Sequence, residues 1–217
     1  MSLLMYSMWR DGVIVIADTL ACLTTYEPSS FRTKVSTLPH LNMVFASRGP
    51  SLLDRRFQHW ISLDWACRDI ETVNDVAPKH LRQYQADFVQ EHGAISTSEF
   101  YLFGFPSGSD EPVHYRYQSK NDFEPERFPD PLFGVVPGPE TFALEQPDTL
   151  EDVIKLATRI RDENDRGLTE DHVVIGGDLF AFEIRNGSIS SNHWHRFPDY
   201  DETDKAIVRL HQKREAK

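Results

Sequence analysis

Ser2, Asp18 and Lys34 follow one another at intervals of sixteen residues. A serine hydroxyl attacks an amide only when a base removes its proton. An α-amino group has a reference pKa of roughly 7.7–8.0, so part of it is neutral near physiological pH and can act as that base. Removal of Met1 would place such an amine on Ser2 itself. A neighbouring lysine would favour the neutral amine and stabilise developing negative charge. An aspartate would hold the lysine through a charge-assisted hydrogen bond. The chemistry implied is amide hydrolysis through an acyl-enzyme, needing no cofactor and no metal. Taken singly, each residue also has a plain structural reading: a second-residue serine, a strand-end acid and a solvated strand lysine.

These groups depend on the elements that carry them. Residues 2–9 and 12–18 read as a strand pair turning at Arg10-Asp11-Gly12, an Asp-Gly turn of the favoured kind. The unbroken apolar run Val13–Ala17 suits a strand covered on both faces. Residues 33–38 and 42–47 form a second pair around Pro39-His40. After Gly49-Pro50 the period becomes helical, with Leu52, Leu53, Phe57, Trp60 and Ile61 recurring. Pro50 is a favourable helix opener. A longer helix is predicted over 70–92, with Val73, Val76, Leu81, Tyr84 and Phe88 on one side and Pro78 kinking or dividing it.

Strands return at 100–105 and 113–117. Residues 122–139 hold five prolines and many charges, which predicts a long loop around a short strand at 132–136, serving as a lid, a binding loop or an assembly contact. Thr149 caps an amphipathic helix in which Leu150, Val153, Ile154, Ala157 and Ile160 face inward. Strands at 173–175, 180–184 and 188–190 follow, the last two joined by an Asn186-Gly187 turn. Residues 201–217 form a peripheral helix or tail. Helices segregated from antiparallel strands mean α+β. The expectation is one domain over 1–217: two stacked antiparallel sheets flanked by helices, a four-layer αββα sandwich.

Composition removes several classes. With 34 acids against 23 bases the formal charge is −11, which argues against a nucleic-acid binder. Cys22 and Cys67 are the only cysteines, too few for a disulfide framework and suited to a cytoplasmic setting. Trp9-Arg10-Asp11 cuts short any leader-like apolar stretch, and no run approaches the roughly 20 apolar residues of a membrane span.

The segment Asp11–Thr19 resembles the "DGVVIAAD-T/S" strand of the proteasome-type (20S β-subunit-like) branch of the N-terminal nucleophile hydrolases. Lys34-Val35-Ser36-Thr37-Leu38 is similar to that family's "KI-x-x-L" strand, and Ala46-Ser47-Arg48-Gly49 to its small-residue turn before the first helix. Leu150–Asp165 running into Gly176–Ile184 resembles its last long helix and Gly-Gly strand. The resemblance is clearest over residues 2–60 and 148–190. It implies Ser2 as nucleophile, Asp18 as paired acid, Lys34 as catalytic lysine and Ser47, Arg48 and Gly49 as the oxyanion-binding backbone. It also implies peptide or amide substrates and a homo-oligomer, dimer or ring. Where the family carries an acid and a serine supporting the amine, this chain has His172 and Ile175, with Asp171 one residue away. The alternative is a non-catalytic assembly subunit that keeps the fold without activity.

Other constellations are thinner. His193 and His195 share a strand face that a metal could use, but no third ligand stands at metal spacing; a surface or partner-contact pair is the plainer reading. Cys22 without a paired histidine reads as a small buried residue. Gly176-Gly177 lacks the further glycine and Lys-Ser/Thr of a phosphate loop.

Overall fold

The computed structural model describes residues 3–23, 25–64, 66–93, 97–128, 132–167 and 173–215. Its strands, in chain order, are β1 (Leu4–Trp9), β2 (Gly12–Asp18), β3 (Leu20–Cys22), β4 (Pro28–Phe31), β5 (Val35–Leu38) and β6 (Met43–Arg48), then β7 (Glu99–Gly104), β8 (Val113–Gln118), β9 (Glu126–Phe128), β10 (Leu132–Val136), β11 (Asp178–Arg185) and β12 (Ser188–Arg196). One five-stranded sheet runs β10-β1-β2-β11-β12, another runs β5-β6-β7-β8-β9, and β3 pairs with β4 alone. Every pairing between described strands is antiparallel.

The apolar run of β2 is explained by two different neighbours. Val13, Val15 and Ala17 join a core cluster with Val44, Tyr101 and Phe103 of the other sheet. Ile16 points the opposite way, into a cluster with Val153, Ala157 and Ile160 of helix α3 (Leu150–Asp165). Side chains alternate across a strand, so a strand buried on both sides carries apolar residues at every position. The second sheet repeats this. Phe45, Phe100 and Leu102 pack with Phe57 and Ile61 of α1 (Ser51–Leu63) and Val73 and Leu81 of α2 (Ile70–His92), while Val44, Ala46 and Tyr101 face the first sheet.

Local chemistry fixes the helix ends. Pro50 stands at the N-cap of α1. Asp69 caps α2 by accepting from the Thr72 N–H at 2.9 Å, within a reciprocal capping box. Thr149 caps α3 by accepting from the Asp152 N–H at 3.2 Å. Helix α4 (Tyr200–Glu215) lies along β4: the Tyr200 ring stacks on Phe31 with centroids 4.4 Å apart, and His211 Nε2 sits 3.0 Å from the Ser29 carbonyl.

Several expectations change. Helix α2 runs unbroken through Pro78. Val76 and Leu150, expected on inward faces, are 37% and 45% exposed, because each lies at the rim of its helix's buried stripe. The proline-rich stretch 122–139 contains β9 as well as β10. These strands lie at the edges of different sheets, where a proline-interrupted segment is tolerated, so the stretch crosses from one sheet to the other. The last two strands are longer than expected, and the hairpin β3–β4 has no counterpart in the sequence reading.

Candidate active site

The pairing registers sort the sheets into two ends. In the first sheet Leu4 faces Ala17, Asp18 faces Leu179, and Asp178 faces Arg196. In the second, Val35 faces Ala46, Arg48 faces Glu99, and Glu99 faces Gln118. Asp18 thus closes β2, and Lys34 stands just before β5 at the end where β6 finishes in Ser47 and Arg48.

Across the two sheets Lys34 Nζ donates to Asp18 Oδ1 at 2.6 Å. The two side chains are 3% and 0% exposed. Asp18 is a hub: Oδ1 also accepts from the Leu3 N–H at 2.9 Å, and Oδ2 from the Gly176 N–H at 3.1 Å. Three donors around one buried carboxylate satisfy its acceptor sites in a medium where an unpaired charge would be very costly. Burial pushes the Lys34 ammonium below its ordinary value; Asp18 opposes that shift and Arg32 adds to it.

Thr19 extends the hub. Its hydroxyl accepts from the Asp178 N–H at 2.8 Å, and its carbonyl accepts from the Arg32 N–H at 2.8 Å. The neighbouring Gly177 adopts φ 79°, and a Cβ there would run into the Thr19 hydroxyl and lie 2.9 Å from the Phe31 ring. Only glycine fits that backbone. The Asp178 carboxylate takes His193 Nε2 at 2.9 Å and Arg196 Nε at 2.8 Å. Partial burial alone would raise its pKa, but these two partners hold it below the usual value.

Ser47, Arg48 and Gly49 close the other side. Ser47 Oγ donates to Asp54 Oδ1 in the first turn of α1 at 2.8 Å. Burial raises the Asp54 carboxyl, against that hydrogen bond and the charge of Arg32. The buried Arg48 guanidinium donates to Glu99 Oε2 at 2.8 Å, and Glu99 also accepts from Tyr101 and Gln118. Gly49 turns the chain into α1 at φ 132°, with the Ser98 Cα 3.2 Å from the place of a Cβ.

The structure therefore brings Asp18 and Lys34 together, with Ser47–Gly49 at the same end. Ser2, Asp171 and His172 lie outside the described residues. Cys22 is half-buried; burial raises its thiol pKa despite the nearby Lys34, the direction of an inert thiol. His193 is spent on Asp178, and His195 packs edge-on against Phe197. Among the described residues no three histidine, cysteine or acidic side chains gather as a metal site. No described helix is long and apolar enough to cross a membrane. Thr19, Arg32, Asp54 and Asp178 escaped the sequence reading; the one available signal was their nearness in sequence to Asp18, Lys34, Gly49 and Gly177.

No protein-family model matches the chain, and no curated protein matches it. Solved structures do. A Gly-1 mutant of Anbu from Hyphomicrobium sp. strain MC1 aligns with a TM-score of 0.65 at 12% identity, covering 100% of this chain and 96% of that one. The helical assembly of the Anbu complex from Pseudomonas aeruginosa aligns at 0.64 and 15% identity, covering 99% and 96%. Anbu, the ancestral beta-subunit, from Yersinia bercovieri aligns at 0.60 and 13%, covering 99% and 95%. At these identities the likeness shows the fold alone: mixed α+β, mostly antiparallel and proteasome-like. It corrects the resemblance to 20S β-subunit-like N-terminal nucleophile hydrolases, because Anbu proteins form a distinct family and the likeness confirms no nucleophile. The strand and helix patterns that carried the resemblance belong to the fold, so they do not separate its branches.

Proposed function

We propose that this chain hydrolyses peptide or other amide bonds, with Ser2 as nucleophile after loss of Met1 and its own α-amine as base. The observation that supports this best is the double role of Asp18 Oδ1. It holds the Lys34 ammonium at 2.6 Å and the Leu3 N–H at 2.9 Å, tethering the residue that follows Ser2 to the carboxylate that positions the lysine. The layering that goes with this reading is α1/α2, sheet, sheet, α3, in keeping with the three separate core clusters.

In the reaction the Ser2 Oγ–H gives its proton to the α-amine as Oγ bonds to the carbonyl carbon. Lys34 keeps that amine neutral by its charge and stabilises the transition state. The oxyanion is received by backbone N–H groups of Ser47–Gly49. Collapse breaks the C–N bond, and the amine returns the proton to the leaving nitrogen. Water then hydrolyses the Ser2 ester by the same proton route. Asp171 or His172 would support the amine.

A second reading, a non-catalytic assembly subunit, draws on the Anbu complex solved as a helical assembly. We propose self-association under either reading. Protein made from its native start codon should release amine from fluorogenic peptide amides. Ser2→Ala and Lys34→Ala should each abolish release. A folded, Met1-free protein that cleaves none of a broad peptide-amide panel yet sediments as an oligomer would replace the first reading with the second.

A further inference from the structure

Lys34 is the obvious cation of this site, yet its charge is matched by Asp18 at 2.6 Å. Arg32 is different. It lies two residues before Lys34, and its backbone N–H is fixed to the Thr19 carbonyl at 2.8 Å, one residue beyond Asp18. Its side chain is half-buried, and Nε is buried with no hydrogen-bond partner. Among the described residues it forms no ion pair. The guanidinium is close enough to bias Lys34 electrostatically.

The acid within its electrostatic reach is Asp54. That carboxylate already accepts from Ser47 at 2.8 Å, and its burial favours the protonated form. A guanidinium that cannot be deprotonated, partly desolvated and offered no acceptor, is an incomplete interaction. The group that completes it is planar and anionic, matching the guanidinium fork. In a chain of net charge −11 such a spot is a local exception, and a partly dry one strengthens any ion pair made there.

We propose that Arg32 is a specificity-determining residue that binds a carboxylate of the substrate beside the Asp18–Lys34 centre. The protein then prefers acyl donors bearing a carboxylate, supplied either by an acidic side chain at the cleaved bond or by a dicarboxylate cap on the amino-terminal side of it. This rests on the amide-hydrolase reading for its kinetics. The recognition itself requires only the half-buried guanidinium with its unpartnered Nε.

The test compares peptide aminocoumarin amides that place Glu or Gln at the cleaved bond, with a third arm that carries Gln and a succinyl carboxylate. Wild-type protein should favour one carboxylate arm over the neutral substrate by about tenfold or more in kcat/KM, most of it in KM. Arg32→Gln should remove that preference, bringing the carboxylate arms down to the rate of the Gln substrate measured in the same variant, while Arg32→Lys should restore part of it. Which carboxylate arm responds identifies the source. Equal rates on all three arms in wild type, or an equal loss on all three in Arg32→Gln, would overturn the proposal. A separate readout protects against failure of the hydrolase reading: binding of N-acetylglutamate α-amide against the neutral N-acetylglutamine α-amide, and of succinate, followed by calorimetry. Arg32-dependent carboxylate binding without turnover would sink the hydrolase and keep the site; no Arg32-dependent binding despite turnover would sink the site and keep the hydrolase.

Discussion

At one end of the two sheets Lys34 and Asp18 meet at 2.6 Å with both side chains buried. At the other end Asn42 Nδ2 donates to Asn186 Oδ1 at 2.9 Å, and Asn186 Nδ2 donates to Asp110 Oδ1 at 2.7 Å, all in exposed turns. Both connections tie the sheets to each other. Exposed groups, two amides and the Asp110 carboxylate, do so at little cost, because they are solvated whether or not they pair. The buried ion pair must recover a desolvation penalty of several kcal/mol per ion, which is a poor way to obtain stability alone. The charged end is thus a costly way to join the sheets and the exposed end a cheap one.

The sharpest way to break this comparison is to remove one charge. Lys34→Ala leaves the Asp18 carboxylate buried without its cation and should cost roughly 3–5 kcal/mol, read from urea unfolding. Asp18→Asn/Lys34→Met should recover part of that loss by removing both charges, the remainder being the buried N–H of Leu3 or Gly176 that the Asn amide nitrogen cannot accept from, while remaining inactive. If the single and double variants unfold alike, burial of the charge is not the governing cost. Next in size, Gly177→Ala should destabilise by about 1–3 kcal/mol, since it forces a side chain into φ 79° and into Thr19. At the opposite end Asn186→Ala should cost about 0.5–1.5 kcal/mol and leave any hydrolysis unchanged. An activity loss there would mean that the two ends communicate.

Between the ends lies a buried polar group that serves neither. His114 is fully buried among Tyr6, Tyr101, Phe103 and Phe128, and both ring nitrogens lack partners. Burial, aided by Arg116, pushes its pKa down to about 3. The folded state therefore keeps the ring neutral, while the unfolded chain binds a proton below roughly pH 6.5. Stability should fall as pH drops from that value toward about 3, at up to roughly 1.4 kcal/mol per pH unit from this group. His114→Phe should flatten that part of the acid limb and leave neutral-pH stability equal or higher. An unchanged acid limb would contradict the assignment.

How much the sequence revealed follows from the same physics. Val13–Ala17 disclosed a doubly covered strand because both faces of β2 meet apolar layers, and the spacing of Asp18 and Lys34 marked strand ends that the fold brings to one place, Ser2 lying outside the described residues. The hairpin β3–β4 stayed hidden because Leu20–Cys22 and Pro28–Phe31 carry no apolar alternation; α4 helps to hold it through Tyr200 on Phe31. Arg32 was missed with it. A free guanidinium is defined by the partners it lacks, and a linear sequence does not show those.

Whether Ser2 bears the nucleophilic hydroxyl beside its own free amine is decided by intact-mass spectrometry after exposure to a hydroxyl-reactive acylating probe. The expected result is a protein lacking Met1 that gains one ester-linked adduct, mapped to Ser2 and absent from both Ser2→Ala and Lys34→Ala. Met1 retained on the folded protein, or an adduct that persists in Ser2→Ala, would contradict it.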